Sequence, residues 1–154
     1  MVTSEEIKKV FDEAKKQIDK PLYSVTPEEM KRYAENKSNL QLLIFKKKKE
    51  NDAKFGLKST AGYDKIEELC LISITSLKKT MNGTDRATRT FLYKFSVGLQ
   101  MSLDEANELF ELCGGSLRKE DPADHICMCA LRDRDSIYKF CEDYEKYIGK
   151  KISR

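Results

Sequence analysis

Apolar residues recur every three or four positions along most of this 154-residue chain, the spacing that lines one face of an α-helix. Over residues 4–19, Ile7, Val10, Phe11, Ala14 and Ile18 share one side, with Thr3 or Ser4 placed to cap and acids in the first turn. Lys20-Pro21 ends that helix, because a residue before proline is pushed out of the helical region. Thr26-Pro27-Glu28-Glu29 starts a second one, with a cap, a proline at the first helical position and a glutamate at the third. The apolar cluster Leu40 to Phe45 and the lysines Lys46 to Lys49 predict a helix over residues 38–50, followed by a loop around Gly56, Ser59 and Gly62. A short helix is expected over residues 63–70, with Ile66, Leu69 and Cys70 inward. Leu77 and Met81 mark the next, which Asn82-Gly83 stops, the pair best able to take a left-handed backbone.

Residues 88–99 then present Phe91, Leu92, Phe95 and Leu99 on one face. Ser102-Leu103-Asp104-Glu105 reads as a capping box opening a helix with Leu103, Ala106, Leu109, Phe110 and Leu112 apolar, closed by Gly114-Gly115. Pro122 opens another helix, carrying Ile126, Cys129 and Ala130, and residues 135–148 form the last. No alternating strand-like run of useful length occurs, so the fold class is all-α, a helical bundle. The expected organisation is an N-terminal helical extension over 1–38, a central domain over 39–113 and a C-terminal helical extension over 114–154.

Charge changes this picture in one respect. The net formal charge is only +3, yet residues 37–100 carry 13 basic and 6 acidic side chains (+7), against 7 and 8 (−1) before them and 9 and 12 (−3) after. The middle of the chain is the part suited to a polyanion. With 40% hydrophobic and 36% charged residues the chain is too apolar for disorder and too charged to be mostly buried.

The first residues are charged throughout and lack the apolar core of a secretion signal, and no apolar run is long enough for a membrane helix. A cytoplasmic protein with no membrane association is expected, its five cysteines reduced. His125-Ile126-Cys127-Met128-Cys129 does not make a metal site, because helical C-x-C points successive thiols about 200° apart and no second ligand pair exists. The cysteines read as small core residues. His125 is the sole histidine and sits beside Ile126, which suits a core or rim position better than general-base work. No nucleophile elbow, Walker loop or dinucleotide-binding glycine pattern occurs. Neither an enzyme nor a cofactor is expected.

Two short helices joined by a three-residue turn, followed by a glycine stop, a basic loop and an apolar helix, meet the needs of a helix-turn-helix reader. Its first helix braces across the backbone while the second enters the major groove. The segment Ile72-Ser73-Ile74-Thr75-Ser76-Leu77-Lys78-Lys79-Thr80-Met81-Asn82-Gly83, followed by residues 91–106 ending in Ser102-Leu103-Asp104-Glu105-Ala106, resembles the lambda-repressor-like (Xre-type) helix-turn-helix family over residues 62–113. The continuation Cys113-Gly114-Gly115-Ser116-Leu117, with Asp124-His125-Ile126 beyond, is similar to short regulator-like proteins of Gram-positive bacteria that extend this fold by further helices. Tyr63, Glu67 and Leu71 stand where the family has a phosphate-binding Gln, an interior Ala and a turn Gly.

The resemblance implies a transcriptional regulator of bacterial or phage type that binds double-stranded DNA and represses by promoter occlusion. By the family's positions Ser73, Ile74, Thr75, Ser76, Lys78 and Lys79 face the groove, and Arg86 and Arg89 contact the backbone. Hydroxyls there can bond to phosphates or base edges, the lysines can neutralise phosphate or reach guanine, and Ile74 can touch a thymine methyl. No Asn, Gln or Arg at the helix start offers bidentate base reading, so sequence discrimination is expected to be modest. Lys46 to Lys49 can add electrostatic affinity. A homodimer is expected, with Ile137, Phe140, Cys141, Tyr144 and Ile148 as its interface. The rival reading is a protein-interaction module that reuses the fold, in a toxin–antitoxin, phage-defence or counter-defence setting. RNA binding lacks the aromatic stacking platform it needs.

Overall fold

The computed structural model describes residues 27–152, with side chains from residue 39 onward. The helix expected over 4–19 lies outside the described residues. The chain divides into two units, Met1–Asn39 and Leu40–Arg154. Among the described residues every regular element is an α-helix: α1 (Pro27–Phe55), α2 (Ser59–Cys70), α3 (Ile74–Met81), α4 (Arg89–Gly98), α5 (Leu103–Glu111), α6 (Pro122–Asp133) and α7 (Ile137–Ile148). The protein is an all-α helical bundle. No helix among the described residues is long and apolar enough to cross a membrane.

Helix α1 begins at Pro27, where the Thr26-Pro27 signal predicts a start, but runs unbroken to Phe55 instead of ending before a new helix at residue 38. No proline or glycine occurs between residues 28 and 55, so nothing in the backbone interrupts the i to i−4 bonding. Helix α2 likewise starts at Ser59, four residues ahead of the expected Tyr63, and takes Gly62 into its interior.

Gly62 is there for space. It is buried beside Asp52 of α1, and a Cβ built on it would lie 2.5 Å from the Asp52 Cγ. That carboxylate cannot swing aside freely, because its Oδ2 accepts a 2.6 Å bond from Lys48 Nζ, which also donates to the Ser59 carbonyl at 3.3 Å. Lys48 is 1% exposed, so a buried ion pair within α1 lies against the start of α2, which Lys48 reaches through the Ser59 carbonyl. The layer is imperfectly satisfied: Asn51 Nδ2 and Asp52 Oδ1 find no partner. Gly62→Ala is therefore expected to cost about 2 kcal/mol through overpacking, read as a lowered midpoint in urea unfolding. A midpoint unchanged or raised would show that the two helices have room to separate.

Helix α4 forms the middle of the bundle and packs against α2, α5, α6 and α7. Every residue from Phe91 to Gly98 is buried, as expected of a helix surrounded on all sides and not of the one-faced helix that its pattern predicts. Two of its polar members find partners within the bundle: Ser96 Oγ donates to the Leu92 carbonyl at 2.7 Å, and the Tyr93 hydroxyl donates to Asp124 of α6. Ser102 and Glu105 make the predicted capping box at the start of α5. Asp121 caps α6 by accepting from the Asp124 amide at 3.0 Å, with Pro122 at its first position.

Two sequence expectations change at the C-terminal helices. In α6 the inward residues are Asp124, Cys127, Ala130 and Leu131, while Ile126 and Cys129 are half-buried and His125 is exposed. This inward face carries Asp124 to its partners Arg89 and Tyr93 on α4. In α7, Ile137 and Phe140 lie in the shared core and Cys141 and Tyr144 pack against it, with Phe140 and Tyr144 edge to face at 6.1 Å. Four of the five residues expected to make a dimer thus pack on the protein's own core, with Cys141, Tyr144 and Ile148 half-buried, and α6 and α7 belong to the same unit as α2 to α5. All five cysteines are free thiols, with Cys70 and Cys127 fully buried and burial pushing the Cys127 thiol up to about 12.

Candidate nucleic-acid interface

Helices α2 and α3 are joined by residues 71–73. Leu71 turns the chain in the left-handed region, at φ 56°, and its amide donates to the Glu67 carbonyl at 2.9 Å. A non-glycine residue meets a steric penalty of about 1–2 kcal/mol there, offset by the packing of Leu71 against the core. Ser73 is extended, and its Oγ accepts from the Ser76 amide at 3.1 Å, capping α3. At the other end Asn82 Oδ1 accepts from the Thr84 amide at 2.9 Å and Gly83 takes φ +84°, so the chain leaves the helix sharply.

Leu77 and Thr80 face inward and anchor α3. Ser73, Thr75, Lys78 and Lys79 are exposed, and Ile74 and Ser76 are half-buried. The structure therefore brings the six helix-borne candidates onto one short element, with both lysines in its last turn, where they also complement the negative end of the helix dipole. Lys78 Nζ lies 4.9 Å from the Tyr63 ring centroid, and Lys48 Nζ lies 4.3 Å from the same centroid. Tyr63 is thus occupied by two cations, one from each neighbouring helix.

The two arginines separate. Arg86 is exposed in the segment between α3 and α4. Arg89 turns inward: its Nη2 donates to Asp124 Oδ2 at 2.7 Å, its Nη1 to the Gly115 carbonyl at 3.0 Å, and its guanidinium lies over the Phe110 ring at 4.9 Å. Its donors thus hold the bundle together, while its side chain stays 36% exposed. The lysine run divides in the same way. Lys46 and Lys49 are exposed, whereas Lys47 pairs with Glu105 at 2.7 Å and Lys48 with Asp52.

Beside α3 the structure adds a feature that the sequence analysis does not contain. A groove of about 530 Å³ lies between the inner edge of α3 and the chain entering α4, with Ser76, Thr80, Arg86, Thr88, Thr90 and Lys94 among its lining residues. Lys94 is 3% exposed and contributes to a second, smaller cavity of about 180 Å³ that includes Cys141 and Glu145. Nothing local marks these residues: a lysine in an amphipathic pattern reads as solvated, and a threonine before a helix reads as a cap. Among the described residues no three His, Cys, Asp or Glu side chains converge as a metal site would require. His125 Nε2 and Cys129 Sγ lie 3.7 Å apart one turn along α6 with no third ligand. Compared with known proteins, the chain matches no family model, no curated protein and no solved structure.

Proposed function

We propose that this protein binds double-stranded DNA through α3 and acts as a regulator of transcription by occluding the sites it covers. The observation that carries this reading is the presentation of α3: a capped, eight-residue helix pinned by Leu77 and Thr80, with Ser73, Thr75, Lys78 and Lys79 outward. A helix of that width fits the major groove, and its residues can contact phosphates and base edges without bidentate discrimination. Arg86 extends the basic edge, and the +7 excess of residues 37–100 supplies attraction to a polyanion.

The test is fluorescence anisotropy with a mixed-sequence duplex at two salt concentrations, comparing wild type with Lys78→Glu/Lys79→Glu. Wild-type affinity is expected to fall steeply with salt. The double variant is expected to lose on the order of tenfold or more and to flatten the salt slope by about 2, since each phosphate contact contributes close to one counterion. Absence of binding at low salt, or a variant that binds as wild type with an unchanged melting temperature, would overturn the reading. A protein partner is the second reading, favoured by Tyr63: its ring lies against Lys78 and Lys48, at the place where a phosphate-binding amide would serve DNA.

A further inference from the structure

We propose that the groove beside α3 is a binding site for a mononucleotide, with its phosphate monoester held by Arg86 and the surrounding hydroxyls. The volume, about 530 Å³, falls in the range of small-ligand and cofactor sites. The lining has two chemical halves. One comprises the apolar residues Leu71, Ile72 and Phe91, which suit contact with a base. The other concentrates hydrogen-bond donors.

Two of those donors are set by capping. Ser73 Oγ accepts from the Ser76 amide at 3.1 Å and Thr88 Oγ1 accepts from the Phe91 amide at 3.0 Å, and both side chains line the groove. A hydroxyl that accepts from an amide keeps its own proton for a second partner, and an anionic oxygen is the strongest acceptor such a proton can meet. Ser76, Thr80 and Thr90 add three more hydroxyls around the same concavity. Arg86 is exposed at its rim, with no hydrogen bond or ion pair to a described residue, and the planar fork of a guanidinium matches two phosphate oxygens at once.

The acid in this wall narrows the ligand further. Asp85 also lines the groove, and a carboxylate there repels a second anionic group but accepts from a sugar hydroxyl or an exocyclic amine. One phosphate, one polar sugar and one flat ring match that arrangement better than a polyphosphate or a bare anion. Ser73, Ser76 and Arg86 are shared with the DNA-facing set, whereas Thr75, Lys78 and Lys79 do not line the groove, so the site is tested without DNA and its failure is distinct from failure of the DNA reading.

The experiment is a titration of uniformly ¹⁵N-labelled full-length protein, followed by amide chemical shifts, with adenosine 5′-monophosphate and cytidine 5′-monophosphate as probes and adenosine and inorganic phosphate as controls. At least one nucleotide is expected to give saturable shifts concentrated at residues 73–76 and 86–91, with adenosine and inorganic phosphate binding about tenfold more weakly or worse. Arg86→Ala changes an exposed side chain and is expected to leave the spectrum folded while weakening the nucleotide by about tenfold. Thr90→Val provides a second variant with the same expected direction. The proposal is overturned if neither nucleotide gives saturable shifts at millimolar concentration, if the shifts fall elsewhere, if folded Arg86→Ala and Thr90→Val bind as wild type, or if inorganic phosphate binds as tightly as the nucleotide.

Discussion

Asp124→Ala is expected to destabilise the protein by about 3 kcal/mol, the lower end of the range for removing one partner of a buried ion pair because the Arg89 side chain is 36% exposed, and to lower the melting temperature by on the order of 10 °C. Asp124 is 2% exposed and gathers four donors from three residues, two on α4 and one in the segment between α5 and α6. Arg89 Nη2 and Nε reach it at 2.7 and 3.3 Å, the Tyr93 hydroxyl bonds to its Oδ1, and the Arg118 amide donates to its Oδ2 at 3.0 Å. Through Arg89 the same network holds the Gly115 and Ser116 carbonyls at 3.0 and 3.4 Å. Removing the carboxylate leaves a guanidinium and a phenol facing a hole, and the loop from α5 to α6 loses its tether.

The pH dependence follows from the same contacts. Burial acts to raise the Asp124 carboxyl, but the bonds from Tyr93 and Arg89 outweigh it and hold the group below its ordinary value. A lowered folded-state value means that the stabilisation is present above the unfolded carboxyl value, about 4, and is lost as pH falls through the folded one. Urea unfolding from pH 6 downward is expected to show wild-type stability declining below that point, and Asp124→Asn is expected to lack that portion of the decline. A variant as stable as wild type, with the same pH profile, would show that Asp124 is not what joins α4 to α6.

Gly98→Ala carries the other large effect. Gly98 is the last residue of α4 and is buried against the end of α2. A Cβ there would lie 2.6 Å from the Leu69 carbonyl oxygen and 2.7 Å from Cys70 Cα, besides colliding with the Cys70 thiol. Backbone atoms cannot rotate away as a side chain can, so α2 and α4 must separate. The Cys70 thiol, which donates to the Phe95 carbonyl at 3.7 Å, moves with them. The expected loss is about 3 kcal/mol or more, at the upper end of overpacking costs, measured by chemical unfolding. Gly62→Ala meets a side chain and should be milder. If Gly98→Ala proves the less damaging of the two, the α2–α4 approach is looser than these distances require.

Much of the bundle is legible in the residues themselves. Asn82-Gly83, Ser102 to Glu105, Gly114-Gly115 and Asp121-Pro122 act within one turn of where they stand, so their effect survives whatever the rest of the chain does. Helical periodicity is similarly local, and it places α3 to α7 close to their observed bounds. It fails at Ser38-Asn39 and at Gly62. Polar residues without a proline do not end a helix, and a glycine can serve close packing as readily as a turn. The candidate interface is legible to the same degree. Ser73 to Lys79 can be placed on one short capped helix from sequence, but the groove beside it joins that helix to Arg86, Thr88, Thr90 and Lys94 across a turn whose path the pattern does not contain.

Which charges are used up inside the molecule is the part that only the tertiary structure decided. Arg89 and Arg86 are three residues apart and equal as candidates in sequence. One is bound to Asp124, 35 residues away, and the other is exposed. Lys47 and Lys48 sit in a run of four lysines that sequence offers as added electrostatic affinity for a polyanion, yet they pair with Glu105, 58 residues along, and with Asp52. The apolar stripe of α7 reads equally as a core or as a dimer surface until the position of α4 beneath it is known. By itself the sequence determined the helices and most of their ends, because caps, turns and periodicity are settled by neighbours along the chain. Long-range packing decided which faces and which charges remain for a partner, because burying a charge is tolerated only where an opposite charge is delivered to it from elsewhere in the fold.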